Sequence, residues 1–330
     1  MKKDAQWYKK IAENGYPKSE NEGRKVNKTD FSKGQSSWAF FPGYPIINRW
    51  VASLFSITYE QAAFITSILF SMGALIFCYL FFHGYWEDTK KAFWGSLLIM
   101  LFPFQFYQSM FLTEAPFLMF MAGSFYAVQN QKPVLLILLL VPLVLIRPNG
   151  LIILLPLYLF YLERANIPIN SILRFRKSFH GLALMVPAVI AFLLYGVFQY
   201  NSTGFFLAFS QAQQGWDKSF LFPLASLFRY GDLNAQVTSW YVILLGIFLA
   251  AHWRKMPLSF NALVWISLLL PLSAGSTNSI IRYMSVVFPV FMLLTDMIMT
   301  LTRKKIIMIV IYLLHMGSFV LWLNDNPLGY

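Results

Sequence analysis

A single cysteine, Cys78, excludes any intrachain disulfide. It sits in the apolar run LIFCYLFF and is expected to pack as a small hydrophobe. Charge is scarce too. Asp, Glu, Lys and Arg make up 12% of the 330 residues, about half of the ~25% usual in soluble domains, and so few charges cannot build a water-facing surface. The four histidines, His83, His180, His252 and His315, are scattered outside any metal-ligand spacing, so no metal is expected. The sequence holds no P-loop, no glycine-rich dinucleotide turn and no Gly-x-Ser-x-Gly elbow. ATP-driven transport and soluble-cofactor chemistry are therefore unsupported, and no cofactor is expected. Met1-Lys2-Lys3 leads into polar sequence rather than into the apolar core of a signal peptide.

Apolar sequence is abundant: 58% of residues are hydrophobic and 18% aromatic. A bilayer crossing needs about 20 mostly apolar residues, fewer where protein shields the helix. Runs near 62–83, 93–107, 113–129, 133–147, 150–163, 180–200, 237–252, 257–275, 283–301 and 306–323 meet that requirement or approach it. They predict an all-α, polytopic integral membrane protein with about ten transmembrane helices. Length alone would also allow about two soluble domains, but the runs recur along almost the whole chain. Residues 1–61 read as an extracytoplasmic loop, and 62–330 as a transmembrane domain with an external loop near 201–236. Polar breaks at Arg147-Pro148-Asn149-Gly150 and around Gln105, Gln108 and Glu114 fit either half-deep hairpins or tightly linked crossings.

The net charge of +12 is distributed unevenly. Alternate connections hold twelve basic residues, namely Lys90, Lys91, Lys132, Arg164, Arg174, Arg176, Lys177, Arg254, Lys255, Arg303, Lys304 and Lys305. The opposite short connections hold only Arg147, Lys218, Arg229 and Arg282. This is a topology signal rather than a nucleic-acid patch, and it places the first set in the cytoplasm. The N-terminal segment carries ten basic residues against that rule, although long loops translocate largely regardless of charge. An external N-terminal loop with no preceding helix calls either for a first transmembrane helix missing before Met1, the favoured reading, or for a segment that crosses unaided. Tyr44–Phe55 has apolar residues at helical spacing with Asn48 and Arg49 on another face, which suits a helix lying on the membrane surface or the start of the next crossing.

Candidate chemistry gathers on the external side. Asp4 opens DAQWYKKIAENGY, in which Trp7, Tyr8, Ile11 and Ala12 form one apolar helix face and Gly15 ends the helix. A carboxylate there suits either an N-cap or a functional group. Trp38–Pro45 is an aromatic, proline-rich turn that could serve only as an interfacial anchor. Thr113 reads as a helix N-cap, and Glu114 as favouring the helix dipole or as a functional group. Arg147 and Arg282 stand alone near external helix ends, suited to binding a phosphate or to snorkelling toward headgroups. The loop FSQAQQGWD offers Gln211, Gln214 and Trp216, amides and an indole of the kind that hold a sugar.

DAQWYKKIAENGY followed by AFFPGYP resembles the motif pair of the PIG-V family, which contains a GPI mannosyltransferase and its bacterial relatives. TEAP at 113–116, RPNG at 147–150 and S-x-x-R-Y-x-x-V-x-F-P over Ser279–Pro289 follow in the same order, so the resemblance spans nearly the whole chain. The family usually has Trp before the aspartate, where this chain has Lys3, and a first transmembrane helix before that. The resemblance implies a GT-C type membrane glycosyltransferase with its site on the non-cytoplasmic face. It implies a polyprenyl-phosphate sugar donor, with mannose as the family's sugar, and a lipid-linked or glycolipid acceptor. Asp4 matches the family's aspartate, the expected base. The expected substrate-binding residues are Tyr8, Phe41, Glu114, Arg147, Asn149, Gln211, Gln214, Trp216, Arg282 and Tyr283. A bacterial plasma membrane, or the endoplasmic reticulum of a eukaryote, is the expected location. The rival reading is a transporter or flippase of a lipid-linked sugar, which predicts polar residues spread through mid-membrane segments.

Overall fold

The structure, a computed structural model, describes residues 4–17, 34–170, 176–216, 218–228, 233–277 and 279–324. Arg174, Asp217 and Arg229 lie outside the described residues, as does most of the N-terminal basic segment. The described residues are helical and contain no strand.

Helix α1 (Asp4–Asn14) buries Ala5, Tyr8, Ile11 and Ala12, close to the face the spacing predicts. Gly15 ends it in the left-handed conformation, its N–H bonded to Ile11 O at 2.8 Å. Helix α2 (Gly43–Phe55) leads into α3 (Tyr59–Trp86), which opens with a Thr58–Gln61 capping box. The bundle continues with α4 (Thr89–Leu101), α5 (Glu114–Gln129), α6 (Pro133–Ile146), α7 (Asn149–Arg164) and α8 (Arg176–Thr203). After them come the short α9 (Ala208–Ala212), α10 (Leu233–Ala251), α11 (Leu258–Leu272), the short α12 (Ile280–Met284), α13 (Phe288–Met299) and α14 (Lys304–Leu323).

Four of these, α3, α8, α10 and α14, are long and apolar enough to cross a membrane. Their outward faces are apolar: Ile190, Leu194 and Val197 are exposed on α8, and Ile309, Leu313 and Leu314 on α14. Such surface in water would be a large aggregation liability. Against lipid it is the ordinary exterior of an α-helical membrane protein. The interior is aromatic. Phe81, Phe125, Phe160, Phe260 and Phe288, from α3, α5, α7, α11 and α13, form one cluster with neighbouring centroids 5.1 to 6.2 Å apart. Cys78 is fully buried beside it, a small hydrophobe as expected.

Three expectations are corrected. The run at 93–107 ends as a helix at Leu101, before Pro103, and Gln105–Ser109 form a separate 3-10 turn. The run at 283–301 is split into α12 and α13, because Pro289 in the first turn of α13 has no N–H to continue a ladder. Helix α2 is rotated from the expected placement. Asn48 is fully buried while Ile46, Trp50 and Leu54 point outward. Asn48 Oδ1 accepts from Thr66 beneath the helix, and Tyr44 Oη lies 3.3 Å from Ser67 Oγ. The outward apolar face suits lipid contact.

Helix ends segregate by charge. Lys91 pairs with Asp296 where α4 begins and α13 ends. Ser259 at the start of α11 donates from N and Oγ to Glu163 at the end of α7, at 2.9 and 2.5 Å. The described members of the larger basic set lie at this end of the helices. The first residues of α5, α7 and α12 lie at the other.

The α6–α7 elbow that carries Arg147 depends on Gly150. A Cβ there would stand 2.3 Å from Leu143 O and 2.8 Å from Val144 Cα, both backbone atoms that have little room to yield. Gly150→Ala is expected to destabilise the protein by about 1–3 kcal/mol through overpacking. Gly246→Ala, on α10 with nothing within 4 Å of its added carbon, should be neutral or stabilising through helix propensity. Thermal unfolding of both variants in one detergent checks the contrast, and equal midpoints would refute it.

Candidate functional site

At the end of the bundle opposite the larger basic set, four charged side chains remote in sequence meet. Arg147 follows the last turn of α6, its extended backbone setting the elbow into α7. Its Nε donates to Thr113 Oγ1 at 2.7 Å and its NH2 to Glu114 Oε1. Arg282, on α12, donates from Nε to the same Glu114 oxygen and from NH1 to Asp4 Oδ2 at 2.8 Å. The order of the chain is therefore Asp4, Arg282, Glu114, Arg147. Glu114 is completely enclosed, and its Oε2 has no donor among the described residues. The Asp4 side chain is 27% exposed, the most accessible of the four.

The two guanidiniums that sequence placed as isolated cations thus share a carboxylate. Thr113, read as a cap, makes no side-chain cap bond; its hydroxyl accepts from Arg147 instead. Tyr8 Oη lies 3.4 Å from that hydroxyl. Burial pushes the Tyr8 phenol above its ordinary range, so it stays a neutral donor. Tyr283 stands beside both cations, its ring 5.7 Å from the Arg147 guanidinium carbon and 5.9 Å from that of Arg282. Phe117 and Tyr107 supply further ring faces, at 5.4 Å from Arg147 and 5.8 Å from Arg282.

Three residues near the charged chain carry strained backbone. Ser279, just before α12, and Phe104 and Phe111, on either side of Gln105 and Gln108, take positive φ values of 68°, 69° and 38°. Such conformations are costly for residues with a Cβ and tend to cluster at sites that must be held in one geometry. Gln105 Nε2 donates to Ser285 O at 2.7 Å, fastening the 105–109 turn to the residue after α12.

An aromatic layer covers α1. Trp7 and Phe40 stack at 5.9 Å, and Trp216 meets them edge-on at 5.9 and 5.5 Å. Phe40 also packs on Tyr8 at 5.1 Å, which links the layer to the charged chain. Gly215 allows this contact, because a Cβ there would lie 2.3 Å from Gly34 O.

The structure brings together Asp4, Tyr8, Glu114, Arg147, Arg282 and Tyr283, and sets Trp216 in the aromatic layer beside them. Gln211 and Gln214 sit near that layer, 3.4 Å apart between Gln214 Nε2 and Gln211 Oε1. Asn149 is half-buried at the start of α7, two residues past Arg147. Phe41 is corrected. It is 1% exposed and packed between Phe192, Tyr195 and Phe209, so it has no surface to offer a substrate. Its neighbour Phe40 is also buried, but against Trp7, Tyr8 and Trp216, on the side of the charged chain. Thr113, Tyr107, Trp7 and Phe40 were not singled out from sequence as site residues. TEAP and AFFPGYP contained Thr113 and Phe40 without marking their roles. A scan against protein-family models and a search of curated proteins found no match to this chain.

Proposed function

We propose that this chain is a membrane glycosyltransferase that moves a sugar, mannose by its resemblance to the PIG-V family, from a polyprenyl-phosphate donor to a lipid-linked or glycolipid acceptor. In this reading about ten helices cross the bilayer in a GT-C arrangement, with the basic ends cytoplasmic and the charged chain on the non-cytoplasmic face. The observation that carries it is the Asp4–Arg282–Glu114–Arg147 chain, built from four separate segments at one end of the bundle beside an aromatic layer.

The chemistry is a displacement at the anomeric carbon. Asp4 takes the proton of the acceptor hydroxyl as its oxygen forms the new C–O bond, and the bond from that carbon to the phosphate oxygen breaks with inversion. The bonding pair stays on the polyprenyl phosphate, whose negative charge rises by one. A guanidinium at that oxygen stabilises the developing charge, and the aromatic layer offers ring faces for the sugar. Arg282 touches both Asp4 and Glu114, so it is placed to align the base and the leaving group together.

The test uses the purified full chain in lipid vesicles with radiolabelled polyprenyl-phosphate mannose and a glycolipid acceptor. The expected result is label in the acceptor and release of polyprenyl phosphate. Label that crosses the bilayer still joined to polyprenyl phosphate would instead establish the transporter reading.

A further inference from the structure

We propose that Lys218 is a third cationic ligand for the donor phosphate, acting with Arg147 and Arg282. The inference rests on the glycosyltransferase reading of the site and assigns a residue that the charged chain itself does not contain.

The first ground is position. The segment after Lys218 is zipped to the chain that leads into α12. Ser219 N donates to Ala274 O at 3.2 Å and Leu221 N to Ser273 O at 2.9 Å. Gly275, left-handed at φ 78°, lets the two strands of backbone approach, since a Cβ there would sit 2.8 Å from Ser219 O. On its other side, Lys218 N bonds Gln213 O at 3.4 Å, at the turn that bears Trp216. The backbone at Lys218 thus lies between the turn that bears Trp216 and the segment that leads into α12. The Lys218 charge is felt there, being the main cause that holds the Tyr283 phenol below its ordinary value.

The second ground is charge balance. Asp4 and Glu114 already offset Arg147 and Arg282, so the four-residue chain is neutral as a unit. A phosphodiester brings one negative charge, and its departure as a phosphate monoester brings another. Lys218 is half-buried and makes no ion pair with any described carboxylate. It supplies the cation that the neutral chain lacks, and an ammonium beside the departing phosphate acts where charge develops.

The experiment measures binding of a short-chain polyprenyl monophosphate and of the matching polyprenol to the detergent-solubilised full chain. Wild type is expected to prefer the phosphate. Lys218→Gln should lose about ten- to a hundredfold of that preference, with polyprenol binding unchanged as the sign of an intact fold, and Lys218→Arg should keep most of it. Equal phosphate affinity in wild type and Lys218→Gln would overturn the assignment while leaving the donor reading in place. No preference for phosphate in wild type would overturn both.

Discussion

Asp4→Asn is expected to lower sugar transfer by about 10²–10⁴-fold, the usual range for removing a general base, with little loss of stability. Two carboxylates lie in the candidate site, and geometry separates their roles. Glu114 is enclosed and accepts from two guanidiniums through one oxygen. A carboxylate so placed has no access for an acceptor hydroxyl at that oxygen. Asp4 meets one guanidinium through Oδ2 and is 27% exposed. It lies at the first turn of α1, beside the aromatic layer where a sugar would rest. Asparagine keeps the side-chain shape and can still accept from Arg282 NH1. The exchange therefore removes proton affinity more than structure. Loss of the Asp4–Arg282 attraction itself should cost about 1 kcal/mol or less, because the Asp4 carboxylate is partly open to solvent and Arg282 keeps Glu114. Turnover and thermal unfolding measured on one preparation separate the effects. A near-wild-type rate in Asp4→Asn would remove Asp4 as the base, and a fall in rate matched by equal loss of folded protein would make its role structural.

What could be read from sequence follows from range. Apolar runs are local, so the helical class was legible, and most run boundaries lie within a few residues of the helices observed. Breaks were legible where a residue type enforces them, as at Arg147-Pro148-Asn149-Gly150. Pro103 and Pro289 carried the same signal inside runs that hydropathy alone reads as continuous. Side-chain pairing was not legible. Asp4, Glu114, Arg147 and Arg282 are far apart in the chain, and only the packing of α1, α5, α6 and α12 decides that two arginines share one carboxylate. The face of α2 was misplaced for a related reason. In water Asn48 would point out, but beside lipid the polar side chain turns inward to Thr66 and the apolar one outward. In the irregular turn 37–42 no period tells Phe40 from Phe41, so it took the structure to show that Phe40 joins the cluster beside α1 and Phe41 the main core.

Glu114→Gln carries the largest expected effect on stability. A pair of unit charges about 4 Å apart gains roughly 4 kcal/mol at an effective dielectric of about 20. Enclosing each ion costs several kcal/mol, so the intact network is close to balanced and is poor evidence of net stabilisation. Its disruption is not balanced. Glutamine leaves Arg147 and Arg282 at 9% and 14% side-chain exposure facing a neutral amide, with only Asp4 left to offset two cations. Breaking a buried pair in this way costs about 3–5 kcal/mol, a large share of the ~5–15 kcal/mol by which native proteins are stable. Glu114→Gln is therefore expected to unfold at markedly lower temperature and to accumulate poorly in the membrane. Removing a cation with the carboxylate should recover part of the loss. The double variant Glu114→Gln with Arg147→Met should be more stable than the sum of the two single changes by about 1–3 kcal/mol, the coupling typical of residues in one network. Additive single effects in that cycle would mean that the Arg147–Glu114 contact does not hold the α6–α7 elbow to α5. The anchor would then lie in the close approach at Gly150 and in the aromatic cluster around Phe125 and Phe160.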